Sequence, residues 1–254
     1  MTTDPAPFLT ALRLSDSFLP VGGYTASYGL EQYLNEDRIE DGDDLRELIA
    51  AYLRRVVGPC ETVALANAHA ASADGDRERL LAVDERLHAV TMPREFRESS
   101  TKAGAKLCEL LASHSSREDS HADGGIEPSD DAVHRAADGG DVAAAVDDAI
   151  ERDATPGHYP VVFGVVAEAR GLSRLETCLA HAYSFVTGLL GAAQRLGRFG
   201  HTEIQSVLET LQPVIATVCE RHVSDDVTAM APFAPLAEIM GMRHEHAGRR
   251  LFMS

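Results

Sequence analysis

Ile204-Gln-Ser-Val-Leu-Glu-Thr-Leu-Gln-Pro-Val-Ile-Ala-Thr-Val218 is the stretch that decides the fold class. Its apolar residues are Ile204, Val207, Leu208, Leu211, Val214, Ile215 and Val218. They recur at steps of three and four, which is the period of one helical face and not the alternation of a strand. The same pattern repeats outward. Asp43 or Asp44 is placed to cap a helix carrying Leu45, Leu48, Ile49, Tyr52, Leu53 and Val56. Gly58 is expected to end that helix and Pro59 to open the next, whose face is built from Ala64, Ala66, Ala68, Ala70 and Ala71. After the turn Asp74-Gly75-Asp76, Leu80, Leu81, Val83, Leu87 and Val90 mark a further helix. Pro93 then starts one whose charged run Arg94 to Glu98 reads as a solvated face, with Leu107, Leu110 and Leu111 turned inward.

The second half has the character of a core. Val161, Val162, Phe163, Val165 and Val166 are apolar on all sides, as in a buried helix. Ala180, Ser184, Gly188 and Ala192, spaced by four, form a ridge of small residues that permits close helix packing. His222 to Phe233 reads as a polar linker, and Pro235 opens the last helix through Leu236, Ile239, Met240 and Met242. Near the start, Pro5 to Arg13 makes a short helix with Phe8, Leu9 and Leu12 on one face. No strand alternation or hairpin signal persists anywhere. The chain is therefore all-α, one helical-bundle domain of roughly ten helices over residues 1–254.

One segment departs from this pattern. Ser113 to Asp153 carries twelve acidic and three basic residues, a net charge of −9, and few apolar residues before Val142. It cannot bury enough surface to offset its ordering entropy, so residues 113–153 read as a flexible acidic insertion, helical at most from Asp141 to Arg152. His114, His121 and His134 within it read as scattered exposed histidines.

The formal charge of the whole chain is −17, which disfavours nucleic acid and anionic membrane as partners. Only Lys102 and Lys106 are lysines, and so acidic a surface suits a high-salt environment. The longest apolar run, Tyr159 to Ala167, is too short to span a bilayer, and no basic residue precedes Arg13 to suggest a signal peptide. Cys60, Cys108, Cys178 and Cys219 lie far apart, as buried free thiols of a cytoplasmic protein do.

Chemistry-bearing patterns are scarce. There is no phosphate-cradling glycine-lysine loop. His244-Glu245-His246 places its histidines two apart, which misses the one-turn spacing of a helical zinc motif, and it reads as a charged outer face. His69, His158, His181 and His201 stand singly. No catalytic residue, metal ligand or cofactor site is assigned. A helical metal-dependent enzyme using scattered His and Glu is the alternative reading, and it requires those side chains to converge.

Two stretches suit contact surfaces. Leu14 to Glu31 contains Pro20, the Gly22-Gly23 turn, and Tyr24 and Tyr28, four apart and so on one helical face, with Thr25 or Ser27 as helix cap. Glu31 is expected to cap local amides. At the other end, Leu251-Phe252-Met253 follows Arg249-Arg250, and three apolar side chains at a fraying terminus call for a cover. The residues alone leave open whether that cover is their own domain or a partner.

The Asp-Ser, Pro-x-Gly-Gly-aromatic and Gly-Leu-Glu run of the first stretch resembles the signature of the urease accessory protein F family (UreF). Three further segments are similar to the same family in the same order. They are Gly58-Pro59-Cys60-Glu61-Thr62 leading to Ala68-His69, then His158 to Gly164, and Arg243-His244-Glu245 leading to Arg250-Leu251-Phe252-Met253-Ser254. The resemblance implies a non-catalytic adaptor in urease maturation, a homodimer within a larger complex. Its implied partners are the D-type (also H-type) accessory protein, the G-type nickel GTPase and apo-urease. Gly22, Gly23, Tyr24, Tyr28 and Glu31 are then expected on the GTPase-facing surface. Arg250, Leu251, Phe252, Met253 and Ser254 are expected in the contact with the D/H-type protein, with residues 235–254 as the partner-binding helix and tail.

Overall fold

The computed structural model describes residues 5–17, 19–21, 27–118, 144, 146, 148–150, 152, 154–248 and 251–252, and of 111–118 the backbone only. Among the described residues every regular element is helical. In chain order these are α1 (Pro5–Leu14), α2 (Leu30–Asn35), α3 (Gly42–Tyr52), α4 (Val63–Ala73), α5 (Arg77–Val90), α6 (Arg94–Glu118), α7 (Tyr159–Ala169), α8 (Arg174–Arg195), α9 (His201–His222) and α10 (Pro235–Glu245). A π-helical segment, Leu53–Thr62, joins α3 to α4, and one 3-10 turn, Val227–Ala229, precedes α10.

The core is organised around α7. Its residues Pro160 to Ala167 are buried without interruption, as the all-apolar run requires, with Phe163 fully enclosed. It packs mainly on α4 and α6, with α8 and α5 closing the remaining sides. The approach to α4 is close enough to need a glycine: a Cβ at Gly164 would sit 2.6 Å from the Leu65 carbonyl oxygen. The small-residue face of α4 permits this contact. Helix α9 lies over α8, α3 and the π-helical segment, burying Ile204, Val207, Leu208, Leu211, Ile215 and Val218.

The expected break at Gly58-Pro59 does not occur. The backbone runs helically from Gly42 to Ala73, widened to π geometry over Leu53–Thr62. A proline inside a helix removes one N–H from the ladder of the preceding turn, in which the Arg55 carbonyl lies. That carbonyl accepts from the Phe233 N–H at 3.0 Å, and the Pro59 carbonyl accepts from the Ala231 N–H at 3.1 Å. The stretch read as a polar linker thus repairs the ladder, and its Met230 is fully buried. A local sequence reading has no access to donors that lie about 170 residues away.

Other expectations shift in detail. Helix α2 begins at Leu30, with Gly29 as a left-handed N-cap and no side-chain cap; the buried Ser27 hydroxyl has no partner. Helix α1 turns Leu14 inward and leaves Phe8, Leu9 and Leu12 exposed. On α10 the buried face is Ala237, Met240, Gly241 and His244, whereas Leu236, Ile239 and Met242 face out. Of the α8 ridge, Ala180 and Ala192 are buried, but a Cβ at Gly188 would meet open space. The flexible-insertion reading of 113–153 falls largely on residues 119–143, outside the described residues. At its edges α6 continues to Glu118, and Val146 and Ala149 are buried in helical backbone.

Candidate functional site

The two stretches singled out in the sequence meet at one carboxylate. Gly29 has φ of 76°, open to glycine without strain, and a Cβ there would lie 3.1 Å from the Gly241 nitrogen. This contact sets α2 directly against α10. It turns Glu31 inward, where its carboxylate accepts from the backbone N–H of Leu251 (3.0 and 3.1 Å) and of Phe252 (3.1 Å). Glu31 therefore caps amides, as expected, but they are those of the C-terminal tail and not local ones.

His244 completes the cluster. Its Nε2 lies 3.2 Å from Glu31 Oε2 and its Nδ1 2.8 Å from Glu95 Oε2, with only 1% of the residue exposed. Both contacts are satisfied together when each ring nitrogen carries a proton or a carboxyl does. The Glu95 backbone N–H in turn donates to Glu245 at 3.0 Å. The reading of Arg94–Glu98 and His244–His246 as solvated faces is corrected on both counts: Glu95 and His244 are buried because α10 packs on α6. The signal was present in the helical period, since His244 follows Ala237 by seven and Met240 by four, in line with the buried stripe.

The tail itself is divided. Phe252 is 7% exposed, with the Arg195 guanidinium 4.9 Å from its ring centroid, while Leu251 is 78% exposed. The chain's own domain therefore covers one of the two described apolar tail residues. Near Leu251 in sequence, the outward side of α10 and the segment before it expose Phe233, Leu236, Ile239 and Met242. At the edge of the cluster, Arg243 pairs with Glu36 at 2.9 Å. Hydrogen bonds from Gln32, Arg38 and Arg243 hold the Glu36 carboxyl down at about 2.

Tyr28 lies in a turn with φ of 49° and not on a helical face. Its carbonyl accepts from the Tyr52 hydroxyl at 2.5 Å, and its ring packs on Phe96 and Phe185. Burial pushes its phenol well above the usual range. Tyr28 is thus half-buried in an aromatic cluster, and Glu31 is buried. Gly22, Gly23, Tyr24, Arg250, Met253 and Ser254 lie outside the described residues, so the pairing of Tyr24 with Tyr28 has no described geometry.

Behind Tyr28 a second polar pair is enclosed. His181 Nε2 and Glu61 Oε2 are 3.7 Å apart, beyond hydrogen-bond distance, and His181 Nδ1 has no partner. Desolvation favours the neutral form of each: the Glu61 carboxyl is pushed up to about 7 and the His181 imidazole down to about 4. His181, Tyr159, Ser184 and Gly188 line a cleft of about 490 Å³, open to solvent beside α8. Among the described residues no group of three or more His, Cys, Asp and Glu is arranged to hold a metal ion, and no helix is long and apolar enough to cross a membrane. The arrangement offers latched segments and apolar surface.

Known proteins carry the same organisation in sequence. The chain is 28% identical over 256 residues to the urease accessory protein UreF of Trichodesmium erythraeum, covering 99% of each chain. It is 28% identical to urease accessory protein UreF 1 of Brucella melitensis, over 97% of this chain and 92% of that one. It is 27% identical to the urease accessory protein UreF of Actinobacillus pleuropneumoniae, over 96% and 97%. The UreF family model matches residues 39–212, from just before α3 to the middle of α9, and on that match the chain belongs to the UreF family.

Proposed function

We propose that this chain is a non-catalytic adaptor of urease maturation, bridging the D/H-type accessory protein and the G-type GTPase so that GTP hydrolysis is coupled to nickel delivery into apo-urease. Membership in a family of urease accessory proteins supports the general role. The finer assignment draws on one observation: an apolar residue, Leu251, left exposed at the end of a tail that the domain otherwise holds in place. An exposed apolar side chain on a fixed backbone suits a partner groove better than solvent. Phe233, just before α10, and Leu236 and Ile239 on it are further exposed apolar side chains.

The GTPase-facing surface is assigned to Gly22, Gly23, Tyr24, Tyr28 and Glu31. Arg250, Leu251, Phe252, Met253 and Ser254 are assigned to the D/H-type contact. The working form is a homodimer within the complex, in the cytoplasm. Nickel is cargo in this scheme, and the chain supplies geometry and no reactive group.

Co-expression with the D/H-type and G-type proteins, followed by size-exclusion chromatography, tests the scheme. Leu251→Asp combined with Leu236→Asp changes only exposed side chains, so the fold is retained. Loss of the D/H-type protein from the wild-type elution position is the expected result for this variant. Co-elution as in wild type refutes the tail assignment, and a wild-type chain that elutes apart from both proteins refutes the adaptor reading.

A further inference from the structure

Where the turn between α5 and α6 meets the segment leading into α10, the surface sinks into an apolar socket of about 50 Å³. It is lined by Tyr52, Val56, Leu87, Val90, Phe96 and Ala237, together with Met92 of the turn and Pro232 of the segment. Pockets for small molecules run to roughly 300–1,000 Å³, so this one has room for a single side chain and for no separate ligand. The backbone beside it is pinned in both elements. Arg97 donates to the Thr91 and Met92 carbonyls at 2.6 and 2.7 Å, and the Phe233 N–H donates to the Arg55 carbonyl at 3.0 Å. On that fixed backbone Met92 is 61% and Phe233 69% exposed, two large apolar side chains left to solvent.

Three arginines border this socket. Arg97 is placed by its two carbonyl bonds, and Arg86 by a bond of 3.2 Å to the Met230 carbonyl. Arg55 is exposed on the π-helical segment, between Tyr52 and Val56 in sequence. Among the described residues none of the three lies within ion-pair distance of a carboxylate, whereas Arg46, Arg79, Arg94 and Arg243 each pair with one. Glu61 and Glu238 also line the socket, and both are half-buried. On a chain of net charge −17, three guanidinium groups without a carboxylate partner beside one apolar socket point to negative charge on whatever fills it.

We propose that the socket takes one apolar side chain of the D/H-type accessory protein, of leucine or methionine size, from a segment whose neighbouring residues are Asp or Glu, and that Arg55, Arg86 and Arg97 pair with those carboxylates. The inference rests on the adaptor reading and adds to it the chemistry of the partner's own contact segment. Helix α10 opens residues 235–254, the stretch assigned to that protein, and it gives the socket its Ala237 wall, so the two surfaces are continuous. An apolar anchor seated in a fixed pocket keeps water from the charges around it, and guanidinium–carboxylate bonds gain strength there. The planar fork of arginine holds a carboxylate through two bonds, and backbone carbonyls already orient Arg86 and Arg97. Residues 113–153 of this chain, with a net charge of −9, offer the same charge from within, and the experiment separates the two occupants.

Met92→p-benzoylphenylalanine places a photoreactive ring at the exposed edge of the socket in the full chain, which is co-expressed with the D/H-type and G-type proteins. Irradiation followed by mass spectrometry is expected to give a cross-link to the D/H-type protein, at an apolar residue with Asp or Glu beside it. Affinity for the purified D/H-type protein, measured at low and high salt, is the second readout. Arg55→Glu and Met92→Asp, both exposed substitutions, are expected to weaken binding by roughly tenfold or more, and Arg55→Glu to flatten the salt dependence. Arg77→Glu, at the other end of α5, is expected to match wild type. A wild-type chain that binds no D/H-type protein refutes the adaptor reading and the socket's occupant with it. Wild-type binding that Arg55→Glu and Met92→Asp leave unchanged, or that Arg77→Glu weakens as much, overturns the socket alone. So does a cross-link confined to the GTPase or to residues 113–153 of this chain.

Discussion

Replacing Glu61 by glutamine tests the claim that a largely buried carboxyl, facing a neutral imidazole, works against this fold at high pH. Burial raises the Glu61 carboxyl from 4.5 to about 7, so the folded chain binds a proton that the unfolded chain has already released. Stability then falls as pH rises from 4.5 and levels off above 7. At about 1.4 kcal/mol per pH unit of displacement, the cost is about 1 kcal/mol near pH 5.5 and about 3 kcal/mol near pH 8.5. His181 slopes the other way. Its imidazole is held down to about 4 from 6.5, so its neutral burial costs stability as pH falls below 6.5. The two slopes partly cancel in wild type, and the stability curve of wild type alone decides nothing. The variant isolates the carboxyl, because the glutamine amide has the same shape and no charge to lose. Urea denaturation of both proteins near pH 5.5 and near pH 8.5 gives the difference of differences. Glu61→Gln should gain about 2 kcal/mol relative to wild type over that interval, equivalent to roughly 4–8 °C in melting temperature for a chain of this size. A gap between the two proteins that is the same at both pH values refutes the reasoning, and a gap that shrinks with pH reverses it.

Gly104→Ala places a Cβ 2.0 Å from the Gly157 carbonyl oxygen, backbone against backbone, and should cost roughly 2–3 kcal/mol, read as a lower melting temperature. Gly188→Ala meets open space in mid-helix and should be neutral or raise stability by about 0.5–1 kcal/mol in the same assay. Glu31→Ala removes the acceptor for two tail amides and one side of His244, so hydrogen exchange at Phe252 should accelerate about tenfold or more while the amides of α7 keep their protection. Asp84→Asn replaces one of the two acceptor oxygens by an NH2 group, which opposes at least one of the three donors, and should lower stability by roughly 2–3 kcal/mol, with exchange rising first at His158 and the start of α7.

The helices and the centrality of α7 were legible because they depend on local period: Val161 to Val166 has no polar side, and Ile204 to Val218 has one apolar side. What escaped was long-range in origin. Gly58-Pro59 carries every local mark of a boundary, yet the Pro59 and Arg55 carbonyls are met by N–H groups of Ala231 and Phe233. The α8 ridge has the composition of a packing surface, but composition does not say which neighbour arrives, and Gly188 faces a cleft. Of the site, Glu31 and the tail were each visible as unusual, from an acid beside a glycine turn and apolar residues at a chain end. Their union was not visible, because it passes through His244 and Glu95, whose charge argued for the surface. Two buried acids and a buried histidine compensate one another only once α2, α6 and α10 converge.

That convergence bears on how a partner would take the tail. The Leu251 and Phe252 amides donate to an ionised or hydrogen-bonded carboxylate, and such bonds contribute about 1.5–3 kcal/mol each when desolvated. Burial of the Phe252 ring against Arg195 adds to them. A protein that drew the tail out would have to replace these contacts, and its apparent affinity would be reduced by the fraction of time the tail is latched. A protein that instead covers Leu251 and the α10 face, leaving Phe252 and Glu31 in place, meets no such cost. The energetics therefore favour docking over the latched tail, with the buried cluster fixing the angle at which Leu251 is presented. On this account α2 and the tail act as one unit: a substitution at Glu31 or His244 should disturb how Leu251 is presented, although neither side chain is itself exposed.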